Sequence, residues 1–174
     1  MKKLFFVFVV LLFTAGFASK VSAQVTKSNN AGGEILTPIN LVVDLPLEFG
    51  KLAVLATGGN VSITADGANT VTKTASVTLV SGGDDRTAAK YTVSGAGGYS
   101  YDIDAPSTIT VSNGTETMDI TTNVKSVSTT SSTGGTLDGT SGTDIIYVGG
   151  TLTIPAGQAA GRYTNSYNVT VNYN

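Results

Sequence analysis

The C-terminal run from Gly161 to Asn174 alternates with a period of two. Tyr163, Tyr167, Val169, Val171 and Tyr173 fall on one side of an extended chain, with Asn165 the break in that series. Thr164, Ser166, Asn168, Thr170 and Asn172 fall on the other side. Successive side chains of a strand point to opposite faces, so this pattern specifies a strand with one face buried and one face in water. Such a strand is not stable alone. It either completes the sheet of its own domain or serves as the handle by which another protein holds that domain.

The same grammar repeats upstream. Runs rich in Val, Ile, Thr and Tyr predict strands over residues 35–43, 47–52, 60–64, 71–80, 90–94, 99–103, 108–111, 118–122, 145–154 and 162–173. Between them lie Pro46, Thr57-Gly58-Gly59, Asp66-Gly67, Gly82-Gly83-Asp84-Asp85, Gly95-Ala96-Gly97-Gly98, Asn113-Gly114 and Pro155-Ala156-Gly157. These residues supply the positive or fixed φ values that chain reversals need. The clearest hairpin signal is Asn113-Gly114 between Thr108-Ile109-Thr110-Val111 and Met118. No segment beyond the leader has helical periodicity. Many short strands separated by turn signals predict an all-β, antiparallel sandwich or barrel.

The chain opens Met1-Lys2-Lys3 and continues into an apolar stretch from Leu4 to Phe13, followed by the small-residue site Val21-Ser22-Ala23. A cationic head, a short apolar core and a small-residue site read as a secretory signal peptide over residues 1–23. The apolar stretch is well short of the roughly 20 residues of a spanning helix, so no transmembrane anchor is expected in the mature chain. Cleavage after Ala23 leaves a polar N-terminus over 24–33 and one domain over 34–174. The expected location is secreted: periplasm, cell surface or extracellular. Cysteine is absent, so stability rests on packing and sheet hydrogen bonds. Loss of Lys2, Lys3 and Lys20 leaves 7 cations against 12 acids, a net charge of −5. The remaining cations are scattered, which argues against nucleic acid as a partner.

With neither His nor Cys in the chain, Ser-His-Asp, Cys-His and histidine-metal chemistry are ruled out. The carboxylate pairs to weigh are Asp84 with Asp85, Asp102 with Asp104, and Asp138 with Asp144. Asp102 and Asp104 share one strand face about 7 Å apart, from ~3.3 Å per residue. Without Trp there is no strong aromatic platform for a sugar substrate. No enzyme, cofactor or metal is expected. The segment Asp138-Gly139-Thr140-Ser141-Gly142-Thr143-Asp144 has oxygen donors suited to calcium, but a turn explains the same residues and an EF-hand's ligand spacing is missing. The stretch that begins at Ser126 and ends at Thr143 is Ser/Thr/Gly-rich and predicts a long surface loop, with room for a brief strand near Leu137.

Several short motifs carry a family resemblance: Leu36-Thr37-Pro38-Ile39, Leu47-Glu48-Phe49-Gly50, Gly149-Gly150-Thr151-Leu152, Ala156-Gly157-Gln158, Ala160-Gly161-Arg162-Tyr163 and Val169-Thr170-Val171-Asn172-Tyr173. Together they resemble the secreted bacterial domain-of-unknown-function 4402 family, across nearly the whole mature chain. That family is similar to the spore coat U and chaperone–usher pilin group, whose members are immunoglobulin-like sandwiches. The pilin resemblance implies a last strand opened by Gly161 and closed by the penultimate Tyr173. It also implies that Tyr163, Tyr167, Val169 and Val171 are strand-pairing positions, beside which a periplasmic chaperone or like subunits could add a strand. Phe49-Gly50 matches the Phe-Gly after the first pilin strand. Two features depart from the pattern: the first-strand disulfide is missing, and the segment 24–33 offers only Val25 as a sizeable apolar group. Burial of one valine is worth roughly 1.5–3 kcal/mol, too little for a donor strand.

The resulting expectation is a secreted, non-enzymatic structural or adhesive protein of the cell surface, with a fimbria-like subunit as one form. The alternative is an extracellular module that binds surface glycans or another ligand through the Ser126 to Thr143 loop and neighbouring tyrosines.

Overall fold

A computed structural model describes residues 23–82 and 85–174. The expected leader lies outside the described residues apart from Ala23, as do Gly83 and Asp84 of the expected turn at 82–85. The chain divides into two units, Met1–Glu34 and Ile35–Asn174. Of the first, residues 23–34 have no regular secondary structure and are exposed.

The second unit is all-β, with antiparallel pairing throughout and no helix among the described residues. Its strands are β1 (Asn40–Leu45), β2 (Leu52–Val54), β3 (Gly59–Ile63), β4 (Val71–Lys73), β5 (Val77–Leu79), β6 (Ala89–Ser94), β7 (Ser100–Asp104), β8 (Thr108–Ser112), β9 (Thr117–Ser126), β10 (Gly134–Thr136), β11 (Thr143–Ile154) and β12 (Thr170–Tyr173). They form a seven-stranded sheet of β1, β6, β11, β3, β4, β9 and β8, a three-stranded sheet β10-β7-β12, and a two-stranded ribbon β2-β5.

The long strand β11 organises the main sheet. One edge pairs with β9 along Ile146–Thr153; the other is shared, with β6 along Thr143–Val148 and β3 along Gly150–Ile154. Gly149 sits at the junction between β6 and β3, where a β-carbon would collide with the Ile63 carbonyl oxygen. Only glycine lets two strands meet one edge so closely. Alternation then sorts the side chains of β11: Asp144, Ile146, Val148, Leu152 and Ile154 are buried, while Thr143 and Thr153 are exposed. On the outer face, Thr108, Thr121, Thr151, Ser62 and Thr72 fall in one cross-strand row. Ser62 Oγ and Thr151 Oγ1 hydrogen bond within it at 2.7 Å.

The interior consists of two apolar clusters under this one sheet. The first comprises Phe49, Val61, Ile63, Val77, Ala88, Ile109, Val111, Met118, Ile120, Leu152 and Ile154. The second comprises Ala89, Tyr91, Val93, Tyr101, Ile103, Leu137, Ile146, Val148 and Val171. Leu47 and Tyr167 pack against both.

Four sequence expectations change. The strand expected over 47–52 gives way to a single bridge at Glu48, with β2 at Leu52–Val54. The run expected as one strand over 71–80 is two strands, because the chain reverses at Thr74, whose carbonyl accepts from Val77 N–H while Lys73 Nζ caps the Val77 carbonyl. The strand expected over 35–43 begins later, at Asn40. The strand expected over 162–173 is reduced to β12, preceded by a single bridge at Thr164. The Asn113-Gly114 hairpin forms as read: Gly114 has φ 95°, and Asn113 Oδ1 accepts from Thr115 N–H and Glu116 N–H at 2.9 and 2.8 Å.

Candidate functional site: a groove beside strand β2

The C-terminal run changes partner halfway along. Thr164 exchanges hydrogen bonds with Ser112 at the free edge of β8, in the main sheet. Beyond Asn168 the run crosses to β7 in the three-stranded sheet, with Val171 opposite Ile103 and Tyr173 opposite Tyr101. Side chains fix both ends. Tyr163 Oη accepts from Asn113 Nδ2 and Gln158 Nε2, each at 2.9 Å, and donates to the Ala159 carbonyl at 2.9 Å. Tyr173 Oη accepts from Ala96 N–H at 2.6 Å and donates to the Thr37 carbonyl at 2.8 Å. Its ring meets Tyr99 edge to face, 6.2 Å between centroids.

Between these anchors, Tyr167 spans the two clusters. Burial holds the Tyr91 and Tyr167 hydroxyls above the ordinary phenol pKa. The two phenols interact electrostatically, but Tyr167 Oη is buried without a hydrogen bond of good geometry. Tyr163 and Tyr167 therefore pack on the first cluster, and Tyr167, Val169, Val171 and Tyr173 on the second. Gly161 is exposed, and a β-carbon there would stand nearest to the Asn113 side chain.

Where the run leaves β8, it forms one wall of a groove of ≈ 710 Å³. The opposite wall is the segment 47–56, including β2. The floor is Ile109 and Val111 of β8, Met118 and Ile120 of β9, and Leu152 and Ile154 of β11. These six side chains retain between 5 and 8 % of their surface, while Val61 and Val77 of the same cluster, like Tyr101, Val93, Ile146 and Val148 of the second, retain none.

The β2 wall presents main chain as well as side chains. Val80 N–H donates to the Lys51 carbonyl and Leu55 N–H to the Ser76 carbonyl, in register with Ala53 opposite Thr78. Hydrogen-bonded and non-bonded pairs alternate along an antiparallel ladder. Residues 51, 53 and 55 thus face β5, and the N–H and C=O groups of Leu52 and Val54 face the groove. An unpaired strand edge of this kind is a template for another strand. The free edge of β1 is different. A bulge between Val43 and Leu45 breaks it, and Asp44 carries an ion pair to Lys90 at 3.6 Å and a hydrogen bond from Thr92 Oγ1. Bulges and charges of this sort discourage pairing.

At the groove's rim, Arg162 on one wall meets Glu48 on the other, Nη2 to Oε1 3.6 Å. Lys51 stands on the β2 side, its Nζ donating to the Gly82 carbonyl at 3.2 Å.

Of the carboxylate pairs weighed from the sequence, Asp84 lies outside the described residues and Asp85 is exposed. Asp102 and Asp104 lie on the exposed face of β7. Asp138 Oδ1 accepts from Thr140 N–H, Ser141 N–H and Ser141 Oγ, and these bonds hold its carboxyl below the usual carboxylate range. Asp144 is buried: Oδ2 accepts from Tyr101 Oη, Ser126 Oγ and Ser128 Oγ at 2.6–2.7 Å, and Oδ1 from Ile145 N–H at 2.7 Å. A β-carbon at Gly135 would stand 2.5 Å from Tyr101 Oη and 2.6 Å from Asp144 Oδ2. This knot pins the segment 126–136 to the second cluster, and the segment includes β10, which pairs with β7. Among the described residues no group of three or more acidic side chains is placed to hold a metal ion.

The domain is an all-β, antiparallel unit with one sealed apolar cluster and one that opens into a strand-edged groove. The chain belongs to the family described as Domain of unknown function (DUF4402), whose model matches residues 39–173. Comparison with curated proteins and with solved structures gives no match. The groove itself was not read from the sequence. Its walls come from segments about a hundred residues apart, and the one signal available was Leu52 and Val54 sharing a parity within a short strand.

Proposed function

We propose that this protein is a secreted, non-enzymatic structural or adhesive β-sandwich of the cell surface, immunoglobulin-like in the manner of pilins, which joins its partners by strand addition. The observation that carries the reading is the groove: an apolar floor lying beside the outward main-chain groups of Leu52 and Val54. Strand addition draws affinity from main-chain hydrogen bonds and specificity from alternate side-chain pockets, and both are available there. The leader-like start of the chain supports export, and a sequence with neither His nor Cys supports a non-enzymatic role. The partners under this reading are a periplasmic chaperone or other surface subunits.

The test is to express the full chain in bacteria, weigh the product by intact mass and treat whole cells with protease. The expected result is a chain beginning at Gln24, cleaved by external protease and recovered in large complexes. An uncleaved chain confined to the cytoplasm would overturn the reading.

A further inference from the structure

The C-terminal run leaves β8 at Asn165 because of a side chain. Thr164 and Ser112 exchange main-chain hydrogen bonds, so continuing that ladder by two residues would bring Ser166 N–H to the Thr110 carbonyl. The Asn165 amide takes both groups instead. Its Nδ2 donates to the Thr110 carbonyl at 2.7 Å, and its Oδ1 accepts from Ser166 N–H at 2.8 Å. The run is thereby peeled from the sheet, and a pocket of ≈ 690 Å³ opens beside it.

Two chain crossings between the sheets frame this pocket. One is the turn from β7 to β8, with Ala105 and Pro106; the other is residues 165–168 on the way to β12. Thr122 fixes the turn, its Oγ1 donating to the Pro106 carbonyl and its N–H to the Ser107 carbonyl at 3.0 Å. The frame is therefore preformed. Asp104, Thr108, Ser166, Asn168 and Thr170 contribute polar side chains to the lining, and none of the five has a hydrogen-bond partner among the described residues. Pro106, Ile109 and Tyr167 supply apolar surface between them.

This lining selects among ligands. It holds one carboxylate and, among the described residues, no Lys or Arg, so an anionic ligand would meet repulsion with nothing to offset it. A wholly apolar ligand would strip water from a carboxylate and an amide, which is costly. An added strand would find the Thr110 carbonyl already taken by Asn165. A neutral sugar meets none of these obstacles. Its hydroxyls both donate and accept, as the carboxylate, amide and hydroxyl side chains require, and a bond donated to Asp104 is charge-assisted. Its C–H groups can rest on Pro106 and Tyr167. The volume lies within the roughly 300–1,000 Å³ of small-molecule pockets. With no Trp in the chain, recognition rests on hydrogen bonds rather than on a stacked ring.

We infer that the pocket between the β7–β8 turn and residues 165–170 binds a neutral sugar unit of a glycan, held by Asp104 and Asn168. This does not rest on strand addition beside β2, and it involves neither the β2 edge nor the segment 126–143.

The experiment is NMR titration of isotope-labelled protein purified after expression of the full chain. The probes are the methyl glycosides of glucose, galactose, mannose and N-acetylglucosamine, with glucuronic acid and inorganic phosphate as anionic counterparts. At least one neutral glycoside is expected to give saturable shifts at residues 104–110 and 165–170, half-complete below about 10 mM. Glucuronic acid and phosphate should bind about tenfold more weakly or not at all. Asp104→Ala should weaken binding about tenfold and Asn168→Ala about fivefold. Both side chains are exposed, so the melting temperature should not change; should one variant fail to fold, the other decides. Absence of saturable shifts with all four neutral glycosides overturns the inference. So do shifts confined to β2 or to the segment 126–143, equally tight binding of the anions, or unaltered binding by the folded variants.

Discussion

Two apolar clusters share one sheet but are closed in different ways. The second is roofed by three paired strands, β10-β7-β12, and its polar seam is a buried carboxylate that accepts a hydrogen bond from each side chain converging on it. The first is roofed by a two-stranded ribbon and by a stretch of the C-terminal run that makes one bridge to β8. The residue types are similar in the two floors, and the difference lies in main-chain pairing. Aliphatic side chains reach zero exposure in both clusters, Val61 and Val77 in the first and Val93, Ile146 and Val148 in the second; only in the first does a row of them lie along a groove walled by a strand edge. Sealing a core in an all-β domain thus depends on how many strands cover it as much as on how apolar its residues are.

The comparison can be broken by truncation. Ile146→Ala, in the second cluster, should cost about 3–5 kcal/mol, and Ile109→Ala, on the groove floor, about 2 kcal/mol, because the space vacated at Ile109 joins the groove and leaves no closed cavity. Urea unfolding of both variants measures the gap, and equal costs would erase the distinction. Asp144→Asn should come next, at about 1–3 kcal/mol, since the amide places donors against hydroxyls and an N–H that already donate. Its loss should appear first as proteolytic nicking within 126–133.

Alkaline pH acts on the tyrosines between and within the clusters. Burial raises the folded-state pKa of Tyr91, Tyr101 and Tyr167. The unfolded chain therefore releases phenol protons first, from about pH 10. The phenols' contribution to stability should be flat below that pH and fall above it, because the unfolded state then binds fewer protons than the native one. Tyr101→Phe should flatten this decline, and an unchanged alkaline limb would contradict it. The smallest effect belongs to Tyr167→Phe. Removing a buried hydroxyl that lacks a good hydrogen bond should leave stability unchanged or raise it by up to about 1 kcal/mol.

Legibility did not divide along the two clusters. The Asn113-Gly114 turn marked the β8-β9 hairpin, which floors the groove, and the alternation of β11 runs through both clusters. Asp144 carried a readable sign as well, since it shares the parity of Ile146 and Val148. Read as part of a turn beside Asp138, it passed for a solvent-facing oxygen donor. The C-terminal run misled for a physical reason: alternation says which face of a strand is apolar but not which sheet receives it. Tyr163 and Tyr173 obey one pattern while serving different clusters, and Asn165, whose Nδ2 donates to the Thr110 carbonyl, marks where the pattern breaks.

The account's central claim is that β2 offers an unpaired main-chain edge above an open apolar floor. Residue-resolved amide hydrogen exchange of the free protein tests it most directly. Leu52 and Val54 should exchange at least tenfold faster than their neighbours Ala53 and Leu55, which face β5. Equal protection of all four amides in the free protein would mean that the edge is already paired and the groove closed.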